Sequence, residues 1–160
     1  MRESVVEVLL VTPRGGKGWI IPKGKVEARL GPRKSAAREA EEEGGVRGKV
    51  DAAPFGEYRH GGGEDGPLVA VFLMRVTREL SSWHEDHERE RRWAALDEVP
   101  RLVIDPGLAG LMRVAAAHLA THAPAEWPAA KGTRRGIRRF RLGIVLAAVL
   151  GMAAFAFLAG

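Results

Sequence analysis

Glu39, Glu42 and Glu43 stand at i, i+3 and i+4 in the run Arg38-Glu39-Ala40-Glu41-Glu42-Glu43-Gly44-Gly45. On a helix of about 3.6 residues per turn, this spacing puts three carboxylates on one side. Like charges so placed repel one another, so a cation is expected between them. Carboxylate oxygens clustered without His or Cys suit a hard ion, Mg²⁺ or Mn²⁺. Such an ion neutralises phosphate oxygens and lowers the pKa of a bound water, which makes a nucleophile near neutral pH. Glu39 and Glu43, one turn apart, are assigned as metal ligands. Glu42 is assigned as the general base and as a further ligand. Arg38 orients a carboxylate, Glu42 or Glu39, through a bidentate contact. Glu41 lies about 200° around the helix from Glu39 and is expected in solvent.

The elements around this run follow from apolar pattern and turn residues. Residues 4–12 read as a strand, ended by Pro13-Arg14-Gly15-Gly16, and residues 19–21 as a second short strand stopped by Pro22. A loop over 23–31 leads to a helix over 32–43, with Pro32 at its first position and Gly44-Gly45 at its end. Ala36, Ala37 and Ala40 give that helix a small-residue side that can approach a sheet closely. Residues 49–58 and 68–79 read as strands, the second carrying the long apolar run of a central strand, and a short strand follows near 93–96. Leu108, Leu111, Met112, Ala115 and Leu119 recur at helical spacing, predicting a closing helix over 108–122. Strands interleaved with two helices predict an α/β protein with its sheet between helices.

The box with its flanking glycines resembles the Nudix hydrolase signature, with Gly24, Arg38, Glu39, Glu42, Glu43, Gly45 and Val46 in the matching places. Leu30 stands where the first Glu of that signature belongs, and Ala40 replaces a larger aliphatic residue. Trp19-Ile20-Ile21-Pro22-Lys23-Gly24, Val46-Arg47-Gly48, Trp83-His84-Glu85-Asp86 and Arg89-Glu90-Arg91-Arg92-Trp93 narrow the resemblance to the diphosphoinositol polyphosphate phosphohydrolase-like branch. The resemblance implies a Nudix-type α/β/α sandwich with a mixed sheet and metal-dependent cleavage of a diphosphate linked to another group. It adds the backbone carbonyl of Lys23 to the metal ligands. By position, Arg14 and Arg89 match substrate-contacting arginines, and Lys17 and Lys25 are further cations flanking the box. Members of this branch have another strand before the Val8 segment, where this sequence has only a few residues. Glu85 or Glu88, in the run His84-Glu85-Asp86-His87-Glu88, is a candidate supplementary carboxylate. Trp83 is read as a packing residue or a ring that stacks a nucleobase.

The formal charge of +5 is unevenly spread. Residues 1–130 hold 19 Lys and Arg against 20 Asp and Glu, a net charge of −1. A short basic patch is no nucleic-acid-binding face, so no nucleic acid is expected as partner. Cysteine is absent, which excludes disulfides and thiolate metal sites. Residues 142–160 carry no charged or polar side chain, and at about 1.5 Å per residue would cross a bilayer core as a helix. The preceding basic residues favour a cytoplasmic flank. The expected organisation is therefore a hydrolase domain over 1–122, a linker and basic juxtamembrane segment over 123–141, and a transmembrane tail anchor over 142–160. The catalytic domain would then lie in the cytoplasm. Gly143, Ala147 and Gly151 form a small-residue face that would pair two anchors into a homodimer.

A domain of net charge −1 favours a substrate less charged than inositol pyrophosphate. The reading is a metal-dependent pyrophosphohydrolase acting on a (di)nucleoside polyphosphate or related nucleoside diphosphate derivative. The alternatives are an inositol pyrophosphate phosphohydrolase, a hydrolase of damaged nucleoside triphosphates, and a weakly catalytic nucleotide sensor at the membrane.

Overall fold

Alternation along the first strand divides the core in two. Val8 and Leu10 of β1 (Ser4–Val11) fall in one buried cluster, and Leu9 between them falls in the other. A strand whose successive side chains point to opposite faces does this only when both faces are covered. β5 (Leu68–Glu79) repeats the pattern, with Val69, Val71 and Leu73 on the side of Val8 and Ala70, Phe72 and Met74 on the side of Leu9. Fully burying one such aliphatic side chain contributes about 1.5–3 kcal/mol, so these two strands anchor the domain.

The computed structural model describes residues 4–122 and 138–148. The remaining elements are β2 (Lys23–Lys25), α1 (Gly31–Gly44), β3 (Val46–Val50), β4 (Gly56–Arg59), β6 (Arg91–Ala95), α2 (Val99–Leu102), α3 (Pro106–His122) and β7 (Arg138–Ala148). The sheet is mixed and runs β3-β5-β7-β1-β6, with β2 also paired to β7 and β4 to β5. Helix α1 lays Ala36 and Ala40 on the Leu9 face, and α3 lays Leu108, Met112 and Ala115 on the Val8 face. The chain is thus a mixed α/β protein with a helix on each side of the sheet.

Several expected elements shift. Residues 19–21 form only isolated bridges, Val11 to Ile20 and Trp19 to Val103. The strand expected over 49–58 divides into β3 and β4 around Asp51 to Phe55, where Pro54 cannot donate to a ladder. Lys23–Lys25, expected as loop, is a short strand because β7 offers it an edge.

The largest correction concerns the tail. Residues 138–141 of the expected juxtamembrane segment and residues 142–148 of the expected anchor form β7, which lies between β1 and β5. It runs parallel to β1, with Val6 opposite Phe140 and Val8 opposite Leu142, and antiparallel to β5, with Phe72 opposite Val145. No helix among the described residues is long and apolar enough to cross a membrane. The membrane-anchored, cytoplasmic placement is therefore withdrawn. The homodimer built on this segment goes with it, because Gly143 and Ala147 pair with Met74 and Ala70 inside the sheet. Gly151 and residues 123–137 lie outside the described residues. The physical reason is plain: an unbroken apolar run suits a strand in the middle of a sheet as well as it suits an apolar helix, and hydropathy alone does not separate the two.

Removing residues 138–160 should leave the facing edges of β1 and β5 without ladder partners. The expected result is loss of the cooperative thermal transition followed by circular dichroism. An unchanged melting temperature would show that β7 is not part of the folded sheet.

Candidate active site

Helix α1 is fixed at both ends by residues the box supplies. At its start the Ser35 hydroxyl donates to Gly31 O at 2.7 Å and accepts from Glu27 N at 2.9 Å, tying the loop to the first turn. At its end Gly45 adopts φ +62°, a left-handed cap that favours glycine, and its N–H reaches Glu41 O at 3.0 Å. Arg91 donates to the carbonyls of Gly44 and Gly45 and lies 4.0 Å over the Trp83 ring. A cation at that helix end also answers its partial negative charge. Trp83 is thus a packing residue, its indole N–H donating to Glu43 O at 3.2 Å.

This anchoring sets the carboxylates. Glu43 is 5% exposed, because α1 closes on β1 so tightly that a Cβ at Gly44 would meet Leu9 Cδ2 at 2.6 Å. Its Oε2 accepts from Lys23 N at 3.0 Å and its Oε1 from Arg89 Nη2 at 2.5 Å. Glu39 is half-buried and folds over Gly24, where any Cβ would collide with the Glu39 carboxylate. Gly24 is therefore required by close approach, and it brings the Lys23–Gly24 backbone against the acidic side of α1. Glu42 is held by Arg38 Nε at 2.6 Å, and the same guanidinium reaches Glu27 at 2.8 Å. Glu41 pairs with Arg47 at 2.5 Å, away from the others.

A fourth carboxylate arrives from the 81–90 loop. Glu85 is buried, its N–H donates to Glu42 O at 3.0 Å, and its side chain lies between Arg89 and Arg14, each at 2.5 Å. Arg89 is itself buried and also donates to Thr12 O at 2.8 Å. The chain of charges therefore runs Arg14, Glu85, Arg89, Glu43. Lys17 is exposed in a cleft of about 500 Å³ that Glu88, Arg89 and Trp19 also line, and the exposed Arg14 pairs with Glu88 of that lining at 2.6 Å. Lys25 is exposed on β2 beside Gly24 and does not line that cleft.

The electrostatics follow from this crowding. Burial, with Glu39 and Glu85 adding to it, pushes the Glu43 carboxyl up to about 7 against the pull of the Lys23 N–H and Arg89. Burial likewise raises Glu39, reinforced by Glu42 and Glu85. For Glu85, burial acts upward, but Arg89 and Arg14 together hold it below the usual carboxylate range. Four mutually repelling carboxylates beside a backbone held close by a glycine make an all-oxygen set of the kind hard cations take. As they stand, no three His, Cys, Asp or Glu among the described residues are placed to hold a metal ion together; Arg38 holds Glu42, and Arg89 draws Glu43 and Glu85.

Two contributors escape the spacing rules. Glu27 braces Arg38 across the loop, eleven residues before it, although Leu30 occupies the signature's acidic position. Glu85 enters through a loop whose turn is made by Asp86 accepting from Ser82 Oγ and Trp83 N. The nearest sequence signal for Glu85 is the dense acidic and histidine run around it.

Residues 2–114 match the NUDIX domain, and the chain belongs to that family. Among curated relatives, it is 37% identical over 99 residues to Nudix hydrolase 4 of Arabidopsis thaliana, covering 59% of this chain and 46% of that protein. It is 35% identical over 102 residues to Nudix hydrolase 16, mitochondrial, of the same plant, covering 59% and 57%. It is also 32% identical over 104 residues to diphosphoinositol polyphosphate phosphohydrolase 2 of Rattus norvegicus, covering 63% and 56%. The chain thus spans about half the length of these relatives.

A carboxyl raised to about 7 favours the folded state when protonated, so Glu43 contributes stability below about pH 4.5 that is lost as pH rises through 7. In EDTA, wild type should lose more thermal stability between pH 5 and 8 than Glu43→Gln, whose amide does not titrate. Parallel pH profiles for the two proteins would contradict this.

Proposed function

We propose that the chain is a pyrophosphohydrolase that cleaves a phosphoanhydride bond in a (di)nucleoside polyphosphate or related nucleoside diphosphate derivative. The observation that carries this reading is the Glu43 carboxylate, buried between the Lys23 N–H and Arg89 with Glu39 folded over Gly24 beside it. Glu39, Glu43 and the Lys23 backbone carbonyl, with Glu42 as a further ligand, would hold Mg²⁺ or Mn²⁺. When bound, the metal neutralises phosphate oxygens and acidifies water. The proposed catalytic unit comprises residues 1–122 together with β7.

The chain's own groups supply the remaining steps. Glu42 accepts a proton from the attacking water as the water oxygen bonds to phosphorus. The bridging P–O bond breaks, and its electron pair leaves with the departing phosphate. Arg38 keeps the Glu42 carboxylate turned for this transfer. An exposed i, i+4 pair of this kind adds little to stability, so its value lies in orientation. Arg14 and Lys17 meet substrate phosphates at the cleft mouth, Arg89 reaches them from its buried pair, and Lys25 approaches from β2. An inositol pyrophosphate is the second reading, supported by the name of the rat relative and by exposed Lys17 in the cleft and Arg14 paired to its Glu88 wall.

With Mg²⁺, the full chain should release product from ADP-ribose or a diadenosine polyphosphate, and EDTA should abolish turnover. Glu42→Gln should lower kcat by about 10²–10⁴-fold without changing the melting temperature. Glu43→Gln should also be inactive. Wild-type turnover in both variants would end the reading.

A further inference from the structure

The cleft of about 500 Å³ lies between residues 12–19 and 86–90, and its charges conflict with an anionic occupant. Asp86, Glu88 and Glu90 line it together with the cations Lys17 and Arg89. Asp86 is committed to its own turn, where it accepts from Ser82 Oγ and Trp83 N. Glu88 is committed to a cation: its Oε2 lies 2.6 Å from Arg14 Nε. Glu88 lines the cleft where Arg14 does not, so a carboxylate stands between that guanidinium and the open space. We propose that Glu88 is an internal competitor for substrate phosphate, a carboxylate that occupies Arg14 and yields it when a phosphate enters. The inference rests on the hydrolase reading above and adds a regulation of the same site.

Arg14 divides its fork between two carboxylates, Nη2 to Glu85 at 2.5 Å and Nε to Glu88 at 2.6 Å. A tight turn sets the two acids side by side, with Glu88 N and Arg89 N both reaching Glu85 O at 3.0 Å. They are not held alike. The Glu85 side chain is 10% exposed, it also grips Arg89 Nε at 2.5 Å, and its backbone N–H donates to Glu42 O. Glu85 cannot turn away without stranding Arg89, a buried cation. The Glu88 side chain is 36% exposed, and its other oxygen lies 3.4 Å from the exposed His87 ring.

This asymmetry decides which contact gives way. An exposed pair contributes little and is screened by salt, so a rival anion displaces it. Glu85 then keeps the guanidinium aimed while the incoming phosphate takes Nε, a donor suited to phosphate oxygens. The Arg14–Glu88 pair is not needed to hold the two loops together. Thr12 N already donates to Glu90 O at 3.0 Å, and Glu90 N to Thr12 Oγ1 at 3.0 Å. A ligand that uses Arg14 must first displace Glu88, so its apparent affinity falls by the fraction of molecules in which Arg14 is free. The same carboxylate returns to Arg14 as products leave, which favours their release.

The test measures binding without turnover. The probe is imidodiphosphate, whose P–N–P link resists the proposed cleavage, titrated with Mg²⁺ into the full chain by calorimetry. Wild type is compared with Glu88→Gln, Arg14→Gln and the double variant, with folding checked by circular dichroism. Glu64→Gln, which removes a charge from an exposed turn outside the cleft, controls for net charge. Glu88→Gln should bind about threefold or more tighter than wild type, and Glu64→Gln should match wild type. In the Arg14→Gln background, Glu88→Gln should bring no gain. An unchanged affinity in Glu88→Gln, an equal gain in Glu64→Gln, or a gain that survives the loss of Arg14 would overturn the proposal. Binding too weak to measure in every protein would overturn it as well. Tighter binding by Glu88→Gln in a chain that hydrolyses no diphosphate would keep the competitor and reject the hydrolase. Hydrolysis with no affinity gain in Glu88→Gln would do the reverse.

Discussion

A carboxylate carried into the interior needs a donor for each oxygen, and at Glu43 those donors come from distant parts of the chain. One is the Lys23 backbone N–H and the other is the Arg89 guanidinium, and both meet the same side chain of α1. Arg89 can do this only because Glu85 and the Thr12 carbonyl hold it in turn. The depth of Glu43 follows from Gly44, which lets the helix end close on Leu9. Removing one partner from a buried pair costs about 3–5 kcal/mol, so the loops before and after the sheet centre are coupled through this one carboxylate.

The backbone that meets Glu43 is positioned by the sheet itself. Lys23–Lys25 is too short to hold a strand conformation alone, and it pairs with Leu146 to Ala148 of β7. The same strand is hydrogen-bonded to both β1 and β5. The placement of Lys23 thus depends on a segment more than a hundred residues further along the chain. Gly24 finishes the arrangement by leaving room for the Glu39 carboxylate.

Much of this was legible because it is local. The spacing of Glu39, Glu42 and Glu43 placed them on one helix, Pro32 and Gly45 bounded that helix, and the long apolar run in residues 68–79 marked a central strand. What was not legible depends on contacts between remote segments. Glu85 could be named from the sequence only as one of two candidates with Glu88, and the fold alone brings it to Glu42 and Arg89. Glu27 takes a bracing place that the pattern assigns to position 30, which no single-sequence rule foretells. The tail misled for a different reason: a run of apolar residues records that it avoids water, and says nothing of whether lipid or protein surrounds it.

The place of β7 also has a consequence for how the molecule comes into being. Its ladder with β1 joins stretches near opposite ends of the described chain, contacts of the highest sequence separation in the sheet. Such contacts close slowly, because the intervening loop must surrender its freedom before they give anything back. During synthesis, β1 and β5 must wait, unpaired along their inner edges, until β7 emerges from the ribosome. For that interval the nascent protein carries a vacant slot that a second chain could fill, making the order of translation itself a source of aggregation risk.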